Sequence, residues 1–247
     1  LSASDFTVAD PGEERRAHLA EQFGVECIAD GAEAQGADVV ILAVKPQVMM
    51  DVLAGISAVA VYQGGERGPL FISIAAGLPT SALEAALPAG SRLVRVMPNT
   101  PLLVSEGATA VTRGAHATDE DLAYAKELFA CLGLACVVDE TDMDAIGAVS
   151  GSGPAYVAAL IEALRDGGVA EGLDAELAEK LALQTVLGTA RLMTETGRGV
   201  EETRIAVCSP GGTTLAALAA MEEGGFTESL KAGVAAAVVR SKELARC

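Results

Sequence analysis

Asp38-Val-Val-Ile-Leu-Ala-Val44 is an unbroken apolar run of strand length, followed at once by Lys45 and Pro46. A short run without polar alternation belongs to a strand covered on both faces, the kind found inside parallel sheets. Pro46 then opens a helix toward Val59, a position where the missing N–H costs nothing. The same strand–helix unit recurs through the first 140 residues. A strand at 6–10 precedes a helix at Glu13–Phe23, which Pro11 and Gly12 introduce, and 25–29 is a second strand. Residues 69–75 form the next buried strand and 80–87 a helix, with Arg92–Met97 and 108–112 as strands. A helix at 119–132 and a strand at 135–138 complete the series. Such alternation implies a doubly wound, mainly parallel sheet of the Rossmann type.

Sheets of this kind bind ligands beyond the carboxyl ends of their strands. Three strand ends carry unusual residues: Ala43-Val44-Lys45-Pro46, Ala75-Ala76-Gly77 and Met97-Pro98-Asn99-Thr100-Pro101. Small side chains at the first two allow a flat cofactor to lie against the backbone. Lys45 adds a cation, and Asn99 can both donate and accept. Each tip alone could be an ordinary loop; three on one edge make a site. A dinucleotide fold normally starts with a strand, a G-x-G-x-x-G turn and a helix. No such turn occurs here, and Gly64-Gly65-Glu66-Arg67-Gly68 follows a helix instead of a strand. The expectation is that the first βα unit of the fold is missing from the 247 residues.

From Thr141 the pattern is helical only, which divides the chain into a sheet domain, 1–140, and an all-helical domain, 141–247. Thr141 with Asp144 resembles a capping box. The helix beyond it is apolar on nearly every side (Ile146, Val149, Tyr156, Val157, Leu160, Leu164), and Gly151-Ser152-Gly153-Pro154 should kink it. A second apolar helix spans 175–194. Two such helices in about 100 residues carry more apolar surface than one small domain can cover, so a partner subunit is expected.

Within this half, Ser209-Pro210-Gly211-Gly212-Thr213-Thr214 leads into a helical run from Leu215 to Met221. Pro210 discourages helix before it, and the two glycines let a ligand approach the main chain. Thr213 or Thr214 can cap the helix, whose first N–H groups are unpaired and sit at the positive end of its dipole. That is the chemistry of a carboxylate or phosphate cradle. It is equally the chemistry of a plain glycine turn before a capped helix.

A formal charge of −17 argues against a nucleic-acid surface, which needs clustered Lys and Arg. The five cysteines form no CxxC pair and lie near no histidine, so neither a metal site nor a disulfide framework is expected, and a reduced cytoplasmic setting follows. Uncharged stretches fall short of the roughly 20 residues a membrane span needs.

Five motifs stand in order: Leu42-Ala-Val-Lys-Pro46, Ser73-Ile-Ala-Ala-Gly77, Arg95-Val-Met-Pro-Asn-Thr-Pro101, Ser150-Gly-Ser-Gly-Pro-Ala-Tyr156 and Ser209-Pro-Gly-Gly-Thr-Thr214. Together they resemble the pyrroline-5-carboxylate reductase family, from about Phe6 to the C-terminus. The resemblance implies a Rossmann domain followed by a helical dimerisation and substrate-binding domain, in dimers that often assemble into decamers. It implies NADH- or NADPH-dependent reduction of 1-pyrroline-5-carboxylate to L-proline, the last step of proline biosynthesis. On this resemblance Ala43, Val44, Lys45, Pro46, Ala75, Ala76 and Gly77 line the nicotinamide half of the cofactor, with Asn99 near them. Ser209, Gly211, Gly212, Thr213 and Thr214 hold the substrate carboxylate. The Thr214 hydroxyl lies beside the ring nitrogen as the catalytic group, and Glu140 is a substrate-side carboxylate. Asp10, ending the second strand of the fold, would repel a 2′-phosphate, whereas Arg15 and Arg16 would attract one. Asp30 stands where many relatives have an Asn on the adenosine ribose.

Two other readings share parts of this pattern. A 3-hydroxyacid-type dehydrogenase shares the layout but needs a lysine on the first interdomain helix, and 141–173 contains none. A nucleotide-binding relative without turnover would keep the fold; intact Thr214 and Asn99 argue against it. His18 and His116 read as surface residues, and Tyr156 as interface packing.

Overall fold

The computed structural model describes residues 2–33, 36–59, 62 and 68–244. Residues 64–67 of the glycine-rich loop lie outside them. Two compact units emerge, one of residues 1–151 with 238–247, the other of 152–237.

In the first unit, β1 (Thr7–Ala9) and β2 (Glu26–Ile28) form a parallel pair, joined by α1 (Glu13–Phe23). A five-stranded sheet follows in the order β3 (Val39–Leu42), β4 (Leu70–Ser73), β5 (Arg92–Met97), β6 (Gly107–Arg113) and β7 (Gly133–Val137). All its neighbours are parallel except β5 and β6, which run antiparallel. The helices are α2 (Pro46–Ser57), α3 (Thr80–Ala86) and α4 (Asp119–Ala130). Side chains alternate across each strand, so β4 sends Phe71 to one face and Leu70 and Ile72 to the other. Phe71 and Leu93 pack with Met49 and Leu53 of α2 and Leu83 of α3. Ile72, Val94, Val96 and Val111 pack with Ala125 and Phe129 of α4. Helices therefore cover both faces, as in a doubly wound sheet.

Covering β3 on both faces was the expectation, and the structure corrects it. Leu42 is buried, but Ile41 is 47% exposed. The reason is position: among the described residues β3 pairs with β4 alone and ends the five-stranded sheet, and α4, on the Ile41 face, packs mainly on β5, β6 and β7. The pair β1–β2 is tied to this sheet by Tyr62, whose hydroxyl donates to the Gly31 carbonyl at 2.8 Å.

The expected capping box of Thr141 and Asp144 is absent. Residues Glu140–Asp142 form a 3-10 turn, and α5 (Met143–Ile146) starts from Asp142 with no side-chain cap. Asp144 instead accepts the Ser241 hydroxyl at 2.6 Å. After α5 comes a π-turn, Gly147–Gly151, then α6 (Gly153–Ala170) with Pro154 in its first turn. The break thus falls at the glycines, where a π-turn re-phases the helix. Because 140–151 packs with the sheet, the compact unit ends at 151, eleven residues beyond the change in sequence pattern.

The second unit holds α6, α7 (Ala175–Thr196), α8 (Val200–Ala206), α9 (Thr213–Glu223) and most of α10 (Phe226–Leu244). Asp174 caps α7 by accepting the Leu177 N–H. In α6 no residue is buried, and in α7 only Ala178 and Ala182 are. Val157, Leu164, Leu181 and Leu187 lie open along these helices. No helix among the described residues is long and apolar enough to cross a membrane.

Candidate active site

The carboxyl ends of β3, β4 and β5 carry the three tips singled out in the sequence. Ala43 and Lys45 are exposed there, Val44 and Pro46 half-buried, and Lys45 stands at the N-cap of α2. At the neighbouring tip Ala75 is buried and Ala76 exposed. Gly77 takes φ +76°, a left-handed backbone angle that favours glycine at this turn. Two methyl groups, of Ala43 and Ala76, are the exposed side chains of these tips other than Lys45. That is a low surface on which a flat ring can rest.

Asn99, after β5, makes both of its expected hydrogen bonds within the protein. Its Oδ1 accepts the Ala108 N–H at 2.8 Å, and its Nδ2 donates to the Ser150 carbonyl at 3.1 Å. It thereby joins the β5 tip to the start of β6 and to the π-turn. Glu140 is likewise engaged. Its Oε1 accepts from Arg95 Nη1 at 2.7 Å and from the Thr80 N–H at 3.1 Å. Arg95 was not among the expected site residues. The available signal was an arginine between Val94 and Val96 in a strand otherwise destined for the core.

At the end of β1, Asp10 Oδ1 accepts the Gly12 N–H at 2.8 Å. Arg16 donates to the Asp10 carbonyl at 2.7 Å, while the exposed Arg15 forms a loose ion pair with the carboxylate at 3.8 Å. Asp30 accepts the Ala32 N–H. Arg15 is the more exposed of the two arginines at this strand end. His18 and His116 are exposed.

In the helical unit, 209–212 is a tight turn closed by Gly212 N–H to the Ser209 carbonyl at 2.9 Å. Gly211 adopts φ +72°, which the third position of a Pro-Gly turn of type II requires. Gly212 is the N-cap of α9, and Thr213 and Thr214 are its first two helical residues. The expected threonine cap is therefore corrected: a glycine caps α9, with no side-chain cap bond. A threonine hydroxyl can accept from the helix start only when it sits before the first turn. Thr214 is half-buried, Thr213 and Ser209 exposed, and their hydroxyls make no hydrogen bond to the described residues. The start of α9 thus presents unpaired N–H groups beside three free hydroxyls.

These residues fit the two ends of a dinucleotide. A carboxylate at the end of a strand suits a ribose, and the low tips of β3 and β4 suit a nicotinamide. The glycine turn that would hold the pyrophosphate is not in the sequence.

Comparison with known proteins agrees with this geometry. Residues 140–244 match the family model "Pyrroline-5-carboxylate reductase dimerisation", and residues 2–77 match "NADP oxidoreductase coenzyme F420-dependent". A pyrroline-5-carboxylate reductase of Synechocystis sp. is 43% identical over 98% of this chain and 88% of its own length. One from Arabidopsis thaliana is 40% identical over 94% of this chain and 82% of its own. Among solved structures, a pyrroline-5-carboxylate reductase from Coxiella burnetii superposes with a TM-score of 0.88 at 37% identity, covering 98% of this chain and 89% of that one. The Plasmodium falciparum pyrroline carboxylate reductase, crystallised with NADP bound, gives 0.84 at 31% identity over 97% and 87%. With this identity along nearly its whole length, the chain belongs to the pyrroline-5-carboxylate reductase family.

Proposed function

We propose that the chain reduces 1-pyrroline-5-carboxylate to L-proline with NADH or NADPH, the last step of proline biosynthesis, in the cytoplasm. The observation that carries this reading is the 209–214 turn. It joins the open N-terminus of α9 to the free hydroxyl of Thr214, in a family whose reaction needs a carboxylate held beside a ring nitrogen. Residues 1–140 serve the dinucleotide and 141–247 serve the substrate and the subunit contact. The cofactor residues are Asp10, Ala43, Val44, Lys45, Pro46, Ala75, Ala76, Gly77 and Asn99.

When bound, a reduced nicotinamide would supply the hydride for the imine carbon. Ser209, Gly211 and Thr213 hold the substrate carboxylate through N–H and hydroxyl groups, and Gly212, whose own N–H closes the turn, lets it approach the main chain. An iminium is already electrophilic, so the protein's main task is to orient the imine carbon. Thr214 accepts from the ring N–H of the iminium and of the product amine, or donates to the neutral imine. The working assembly is a homodimer through α6 and α7. Association of five dimers into a decamer is the larger form to be sought by light scattering.

Loss of the near-ultraviolet absorbance of NADH or NADPH, dependent on added pyrroline-5-carboxylate, is the expected result. No loss with either cofactor would overturn the reading.

A further inference from the structure

Arg95 lies in the middle of the sheet, only 4% exposed, with Ser73 of β4 and Thr112 of β6 as its lateral partners. It shares a strand face with Leu93, the face covered by α2 and α3. A guanidinium buried there must be paired, and Glu140 pairs it at 2.7 Å across 45 residues of sequence. The same carboxylate oxygen accepts the N–H of Thr80, the first residue of α3. Thr80 follows the 75–77 tip by three residues. The far end of the same segment receives Asn99 at Ser150. Residues 140–151 therefore hold the β4 tip through Glu140 and the β5 tip through Ser150.

We propose that Arg95 and Glu140 are a positioning pair for the nicotinamide side of the cofactor site, and that Glu140 does not touch the substrate. The inference rests on the assignment of the 75–77 tip to the nicotinamide. Three features support it. The Glu140 oxygen that binds Arg95 is also the one that anchors α3. Two further polar atoms of the pair, Arg95 Nε and Glu140 Oε2, are buried and find no partner among the described residues. Finally, an aliphatic pair would fill this place at less desolvation cost, so a charged pair secures geometry more than stability.

The test compares the wild type with Glu140→Gln and with the double variant Arg95→Met/Glu140→Leu. The double variant leaves no charge buried alone, and its folding is checked by circular dichroism. Three quantities are read: the Kd for NADPH and NADH, the KM for pyrroline-5-carboxylate at saturating cofactor, and amide exchange of residues 75–80. In the double variant the cofactor Kd should rise about tenfold, the typical worth of one hydrogen bond to a charged group. The imine KM should stay within about twofold. Exchange of the Thr80 amide should quicken about tenfold, as expected when a bonded N–H is released. Glu140→Gln keeps an acceptor for Thr80 and should restore most of both effects. A raised imine KM with unchanged cofactor Kd would overturn the proposal and make Glu140 a substrate group. Unchanged Kd and exchange would overturn it as well. Failure of the wild type itself to reduce the imine would instead sink the functional reading, and the exchange measurement would still decide the role of the pair.

Discussion

Thr214 sits one residue inside α9, behind a glycine cap, and that placement separates two roles a threonine could have. Its hydroxyl closes no cap, so removing it should leave the melting temperature unchanged. If it contacts the ring nitrogen, Thr214→Val should lower kcat/KM by roughly ten- to a hundredfold, the usual worth of a hydrogen bond to a charged group. Steady-state kinetics beside a thermal melt decide this, and wild-type kinetics in the variant would remove Thr214 from the mechanism. Asp10 allows a similar separation. Its carboxylate is held by the Gly12 N–H at the end of β1, and Arg16 is drawn to the backbone there. A 2′-phosphate would meet the Asp10 carboxylate beside the exposed Arg15, which that carboxylate already pairs. Asp10→Ala should therefore shift the ratio of kcat/KM values toward NADPH over NADH by about tenfold. An unchanged ratio would place the ribose elsewhere.

At the scale of elements, two local devices hold the far side of the sheet. Thr118 caps α4 by accepting the Asp121 N–H at 3.1 Å, and Asp121 accepts the Thr118 N–H at 2.8 Å in return. Asp121 also receives Arg92 Nη1 at 2.7 Å, so the cap is locked to β5. Thr118→Ala should cost about 1 kcal/mol, read as a lower urea midpoint at unchanged slope. Gly133 opens β7 at φ +132°, and a methyl there would collide with the Gly107 backbone across the strand pair. Gly133→Ala combines a forbidden backbone angle with overpacking and should cost roughly 2–4 kcal/mol. A midpoint equal to that of the wild type would show that β6 and β7 can part without harm.

For the whole molecule, the apolar faces of α6 and α7 are the dominant unsatisfied feature. Leu181 is 52% exposed. Between the two helices runs an open groove of about 420 Å3, lined by Ala155, Ala158, Ala159, Leu183 and the charged Glu162 and Arg165. Alanines let a second helix approach closely, and the leucines supply the area it would bury. Leu181→Glu places a charge in that contact and should yield monomer or aggregate with little activity, since a buried unpaired carboxylate is strongly disfavoured. Light scattering with an activity assay checks it; an active, monodisperse monomer of wild type or variant would contradict a dimeric enzyme.

The fold was legible where its cause is local. Arg92–Met97 and Glu13–Phe23 are read to the residue, because apolar run length, proline and glycine act within a few positions. The strand tips and the 209–214 turn were legible for the same reason: Pro210, Gly211 and Gly212 prescribe their own backbone. Edges and partners were not. Nothing near Ile41 says that β3 ends the sheet, nothing near Asp144 says that Ser241 will take its carboxylate, and Arg95 meets Glu140 only after 45 residues have folded between them. Local propensity is a property of neighbouring residues, whereas burial and ion pairing depend on which distant segments the sheet brings together. So the sequence alone determined the order of elements and the chemistry at each turn, and the tertiary structure alone decided which polar groups remain free for a ligand.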